Sequence, residues 1–198
     1  MNARTFGIIL SIAVLTLCQT VSHAATRARF TGETVLNDSP VRISAADHTC
    51  QIKEDSSVRC WGRNDLGQLG FGGPHTATPT LVPGLAAGPI AVSAGFGTTC
   101  ILLRNGQVEC WGNNRDGQGG RPDPLSTEPA VVTGVTNAVA IAVGEFHTCA
   151  LLGDGTVRCW GFNSDGQLGD NSQTSRPSPV AVQGLTNVIA ITVGWRHT

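Results

Sequence analysis

The tripeptide Cys-Trp-Gly occurs three times, as Cys60-Trp61-Gly62, Cys110-Trp111-Gly112 and Cys159-Trp160-Gly161, at intervals of 50 and 49 residues. Each copy has a second cysteine ten residues earlier, at Cys50, Cys100 and Cys149, and a Gly-Gln pair after it, at Gly67-Gln68, Gly117-Gln118 and Gly166-Gln167. A fixed period of this length means that one supersecondary unit is reused, each copy burying its apolar face on the next. A short apolar run ending in a small residue precedes the cysteine pairs: Val92-Ser93-Ala94-Gly95, Ile141-Ala142-Val143-Gly144 and Ile191-Thr192-Val193-Gly194, with a degraded first copy at Ile43-Ser44-Ala45-Ala46.

In the third copy the runs Pro129–Val132, Ala138–Val143, His147–Leu152 and Thr156–Trp160 read as four short strands separated by Gly, Asn, Asp and Pro. Four antiparallel strands in about fifty residues suit a propeller blade; a solenoid repeat carries a helix or a shorter period. The expected fold class is all-β, a partial β-propeller of about three full repeats, with units at 48–97, 98–146 and 147–196, a truncated fourth, and the whole repeat region spanning 41–198.

The run Gly144-Glu145-Phe146-His147-Thr148-Cys149, then Asp154-Gly155, Val157-Arg158-Cys159-Trp160-Gly161, Asn163 and Gly166-Gln167-Leu168-Gly169, resembles the repeat of the regulator of chromosome condensation family. The resemblance covers residues 41–198 and implies a seven-bladed propeller; copies with a cysteine in both strands are similar to those of exported bacterial proteins. Two positions depart from the pattern: Thr98 stands where other copies have His48, His147 and His197, and Gly119 replaces Leu69 and Leu168. The sequence stops at Thr198, the counterpart of Thr148, so a fragment or a ring closed by association is expected.

Leu103 and Gln107 flank Arg104-Asn105-Gly106, a three-residue hairpin loop with glycine at its left-handed position, and Gly155 repeats it. Counting outward sets Cys100 opposite Cys110, and likewise Cys50 opposite Cys60 and Cys149 opposite Cys159; a two-residue loop would pair Cys100 with Trp111 instead. Opposed residues have Cβ atoms about 4.5–5.5 Å apart, close to what a disulfide needs. His48, Cys50 and Cys60, or His147, Cys149 and Cys159, also offer three metal ligands. Structural zinc takes four, the paired Cys-x-x-Cys spacing is absent, and the second copy has no histidine. Three disulfides and no metal site are the expectation.

Residues 1–24 read as a signal peptide: Arg4, the apolar run Phe6–Leu17, then Ser22-His23-Ala24 as a cleavage signal. Twelve apolar residues are too few for a membrane anchor, which takes about 20. Cys18 follows Leu17, which is bulky for lipoprotein processing. Residues 25–40 form an N-terminal segment. Beyond the leader, acidic side chains outnumber basic ones by two and Lys53 is the sole lysine, so no basic footprint for nucleic acid exists. No apolar stretch after residue 24 is long enough to insert in a bilayer. A secreted, periplasmic or cell-surface destination follows, where disulfides persist.

No catalytic or cofactor-binding residues emerge. Ser93 sits in Ala91-Val92-Ser93-Ala94-Gly95, which lacks the first glycine and the helix of a nucleophile elbow. Asn163-Ser164-Asp165-Gly166 lacks the acidic first ligand and terminal glutamate of a calcium loop, and no phosphate-cradling loop occurs. Trp61, Trp111 and Trp160 are expected to pack between blades with their N–H groups on carbonyls, a ligand cage being the alternative; Trp195 occurs once. Gly62, Gly112 and Gly161 with Gln68, Gln118 and Gln167 complete the structural repeat, and Asn64, Asn114 and Asn163 read as loop-stabilising hydrogen bonders. The segments Phe71–Pro79, Arg121–Pro129 and Asp170–Pro179 differ most between copies and are expected to be loops on one side. The function expected is a non-enzymatic module binding a protein partner. Nucleotide exchange on a small GTPase, as the resemblance implies for the founding member, and an appended domain of a larger secreted enzyme or adhesin are the alternatives.

Overall fold

The structure is a computed structural model that describes residues 42–86 and 88–198. The expected signal peptide and the segment 25–40 lie outside the described residues. Twelve strands and no helix occur among those described: β1 Ile43–Ala45, β2 His48–Ile52, β3 Val58–Gly62, β4 Thr76–Leu81, β5 Pro89–Ala94, β6 Thr98–Leu103, β7 Val108–Asn113, β8 Leu125–Val131, β9 Ala138–Val143, β10 His147–Leu152, β11 Val157–Gly161 and β12 Arg176–Ala181. They form three four-stranded antiparallel sheets in chain order, β1–β4, β5–β8 and β9–β12.

The blades are cut in a different phase from the sequence units. Pro129–Val132, expected to open the third unit, belongs to β8, which pairs with β7 and closes the second sheet. The ladder continues past it, with the Val132 amide donating to the Val108 carbonyl, and the chain crosses to the next sheet only after that. The second halves of the three variable segments are likewise outermost strands rather than loops. Pro79, Pro129, Pro177 and Pro179 lie on these edges, where a missing N–H costs no ladder bond and blocks pairing with another chain. Ile191–Val193, expected to be a strand by analogy with β5 and β9, pairs with nothing among the described residues and is not one. Its side chains pack on the third sheet.

Alternation along the strands explains the core. In β6, Cys100 and Leu102 point toward the third sheet, while Ile101 and Leu103 point toward the first. All six residues of β6 are therefore buried, as are all six of β7. Two of the three apolar clusters join one face of a blade to the opposite face of its successor, as where Cys50, Ile52, Val58, Leu69 and Val82 meet Val92, Ile101, Leu103 and Trp111.

The central hairpins have the expected register, Cys50 opposite Cys60, Cys100 opposite Cys110 and Cys149 opposite Cys159. All three pairs are at bonding distance with Cα atoms 4.1 Å apart, and all six residues are fully buried. Gly106 and Gly155 hold the left-handed loop position at φ 77° and 78°, which Ser56 takes in the first blade at φ 63°.

Candidate interaction rim

One network repeats at each seam between blades. The main-chain carbonyl of Gln68 accepts the Thr99 hydroxyl at 2.8 Å and the Trp111 indole N–H at 2.9 Å, both from the next blade. The Gln118 carbonyl accepts Thr148 at 2.9 Å and Trp160 at 2.8 Å in the same way. Trp111 and Trp160 are fully buried there, whereas Trp61 is half-buried. The side chains of Gln68, Gln118 and Gln167 fold back, each Oε1 accepting the main-chain N–H two residues earlier.

The glycines of the motif fit the same seam. Gly112 adopts φ 93° where the β7–β8 ladder breaks, and a Cβ on it would stand 2.2 Å from the Gly97 carbonyl oxygen and 3.1 Å from Gln68 Cα. Gly161 is held in the same way against Gln118, and Gly62 has the same positive φ. These Trp, Gln, Gly and Cys positions thus form the frame and leave no reactive group exposed.

Each loop after the third strand is clamped by its asparagine. Asn64 Oδ1 accepts the Leu69 amide at 3.0 Å while its Nδ2 donates to the Phe71 and Gly73 carbonyls. Asn114 binds Gly119, Arg121 and Asp123, and Asn163 binds Leu168, Ser172 and Thr174. In the third loop burial works against the Asp170 charge, but hydrogen bonds from Ser172, Arg176 and Asn163 outweigh it and hold the carboxyl at about 2.

These clamped loops share an end of the sheets with the turns between first and second strands, because Thr98 pairs with Gly112 and His147 with Gly161. That rim displays what the frame does not use. Phe96 is 41 % exposed and Trp195 59 % exposed, each with a guanidinium over its ring: Arg63 at 6.0 Å from Phe96 and Arg196 at 5.3 Å from Trp195. Phe146 and Phe162 pack together between them at 5.9 Å. Arg63 bridges Asp47 at 3.2 Å and Asp65 at 2.5 Å, and Arg196 reaches Asp165 at 3.3 Å. The Arg63 hydrogen bond first, and then His75, keep Asp65 below the usual carboxylate range, whereas burial raises Asp116.

The sequence repeat did not flag Phe96, Arg63 or Arg196, because they vary from copy to copy, and marked Trp195 only as a single occurrence. The signal for Phe96 and Trp195 was positional: each directly follows the glycine, Gly95 or Gly194, that ends the apolar run, and both are exposed. The expected catalytic, cofactor and metal sites were none. Among the described residues no group of three or more metal-ligating side chains occurs, and no helix is long and apolar enough to cross a membrane.

Sheets of this topology, keyed together by an indole on the preceding carbonyl, define a β-propeller repeat protein. The chain belongs to the regulator of chromosome condensation (RCC1) repeat family, whose repeat matches residues 55–102, 105–151 and 154–198. A second form of the repeat matches 90–118 and 138–167. A comparison with curated proteins finds no match. Among solved structures, Kap60 bound to yeast RCC1 (Prp20) is similar with a TM-score of 0.71 and 19 % identity, over 78 % of this chain and 40 % of that one. Prp20p of Saccharomyces cerevisiae gives 0.65 and 19 % over 72 % and 38 %, and human WBSCR16 gives 0.64 and 24 % over 74 % and 41 %. The chain thus spans about two fifths of these relatives, and at such identities the likeness is one of fold.

Proposed function

We propose that the chain is an exported, non-enzymatic protein-interaction module that takes its partner on the rim carrying Phe96 and Trp195. The observation behind this reading is their exposure on a frame whose other large aromatic rings, among the described residues, are buried or half-buried. Large rings anchored on a rigid scaffold are what protein interfaces use as energetic centres. Carboxylates at Asp47, Asp65, Asp116, Glu145 and Asp165 outnumber the guanidiniums of Arg63, Arg115 and Arg196 on the rim, which favours a partner with basic residues around an apolar anchor. The yeast relative was solved with Kap60 bound, and its binding to Gsp1p and histones was studied, so protein recognition has precedent on this fold. The paired cysteines and the leader 1–24 support export.

The test captures partners from the producing cell's exported fraction with wild-type protein and with the Phe96→Ala, Trp195→Ala double variant. A partner held by the wild type and released at least tenfold more readily by the variant supports the rim. Equal capture by both places binding elsewhere. A reporter fused after residue 24 that stays in the cytoplasm removes the exported part of the reading.

A further inference from the structure

His48 is 2 % exposed and lies on β2 at the seam with the second blade. Its Nε2 is 2.5 Å from Thr99 Oγ1. The Thr99 hydroxyl has a single hydrogen, which it donates to the Gln68 carbonyl, so it accepts a hydrogen from His48. The ring is therefore the Nε2–H tautomer, with Nδ1 a buried bare acceptor that has no partner among the described residues. His147 repeats the arrangement, its Nε2 2.9 Å from Thr198 Oγ1, which donates to the Gln167 carbonyl at 3.0 Å, with Nδ1 again unpartnered. The second blade has no ring. Thr98 stands there, donates to the Asn113 carbonyl at 2.7 Å, and leaves Thr148 to bind Gln118 with no histidine behind it.

We propose that acid loosens the seam between the first and second blades by protonating His48, and leaves the seam between the second and third blades closed. A proton on Nδ1 adds a charge and an N–H without an acceptor at a site from which water is excluded. Burial holds the His48 ring at about 4, well below its ordinary 6.5, although Asp47 pulls it upward. That carboxylate is shared with Arg63 at the end of β3, while β6 and the Gln68 turn present the Thr99 hydroxyl and a carbonyl. His147 is likewise held at about 4, by burial and by the neighbouring His197. Since the opened state takes up the proton more readily than the closed one, seam stability is complete above about pH 6.5 and declines as pH falls toward 4.

Two indoles report on the two seams independently. The Trp111 N–H shares the Gln68 carbonyl with Thr99, and the Trp160 N–H shares Gln118 with Thr148. Solvent exchange of both indole hydrogens, followed by NMR on the full chain and expressed relative to the intrinsic rate at each pH, separates them. Between pH 7 and 4.5 Trp111 is expected to lose about ten- to a hundredfold in protection while Trp160 changes little. Protection that holds at both, or falls in parallel at both, overturns the proposal. In the His48→Thr variant, which copies the second blade, Trp111 becomes as indifferent to acid as Trp160; acid sensitivity that survives the substitution also overturns it.

Discussion

The indole N–H of Trp111 reaches back 43 positions in sequence to the main-chain carbonyl of Gln68, at 2.9 Å, and Trp160 does the same to Gln118 over 42. One repeat thereby holds the next through a side chain whose partner is backbone, so the bond survives changes in the loop sequences around it. Replacing Trp111 or Trp160 by Ala is expected to cost about 3–5 kcal/mol of stability, from lost burial and an emptied seam. Denaturant titration measures this, and a cost under about 1 kcal/mol would show that the seam is not a packed core.

Gly112 and Gly134 both have positive φ, 93° and 89°, but only Gly112 has neighbours where a Cβ would go. Gly134→Ala is expected to cost about 1–2 kcal/mol for the left-handed backbone alone. Gly112→Ala carries that strain and a clash with the Gly97 carbonyl, and is expected to cost several kcal/mol or prevent folding. Comparable midpoints for the two variants in thermal melts would contradict the close approach.

Ser56 sits at φ 63° where the other hairpins have glycine. Ser56→Gly relieves the left-handed penalty at some entropic cost, for a net gain of about 0.5–1 kcal/mol. A shift of the denaturant midpoint to higher concentration, with unchanged slope, is the expected readout.

How much of this was legible beforehand follows from which contacts are periodic. Hairpin counting put Cys100 opposite Cys110 because a three-residue loop fixes the register of everything beyond it. The family repeat and the four-strand blade were legible for the same reason: they recur. The phase of the blades was not, since an apolar run such as Pro129–Val132 reads alike as the first strand of one sheet or the last of another. Only the pairing of Val131 with Glu109 decides it. Phe96 was hidden, and Trp195 visible only as an isolated residue, for the opposite reason: periodicity discards single occurrences.

Asp170 gives a second pH window, distinct from that of the histidines. Its carboxyl is depressed to about 2 by hydrogen bonds that burial only partly offsets. The stabilisation is therefore present above the unfolded value near 4 and is lost as pH falls through about 2. Asp170→Asn is expected to be less stable than wild type at neutral pH and to converge with it near pH 2. A difference that stays constant over that range would contradict the ionised network.

Removing one bridge through the paired substitution Cys100→Ala with Cys110→Ala is expected to cost about 2–3 kcal/mol, because so short a loop confines the unfolded chain only modestly. The most direct measurement is peptide mapping of native protein without reductant, after blocking free thiols. Three bridges, Cys50–Cys60, Cys100–Cys110 and Cys149–Cys159, are predicted, each within one blade and intact in material from its own cell. Free thiols would contradict passage through an oxidising compartment, and a bridge joining two blades would contradict the hairpin register from which the rim is built.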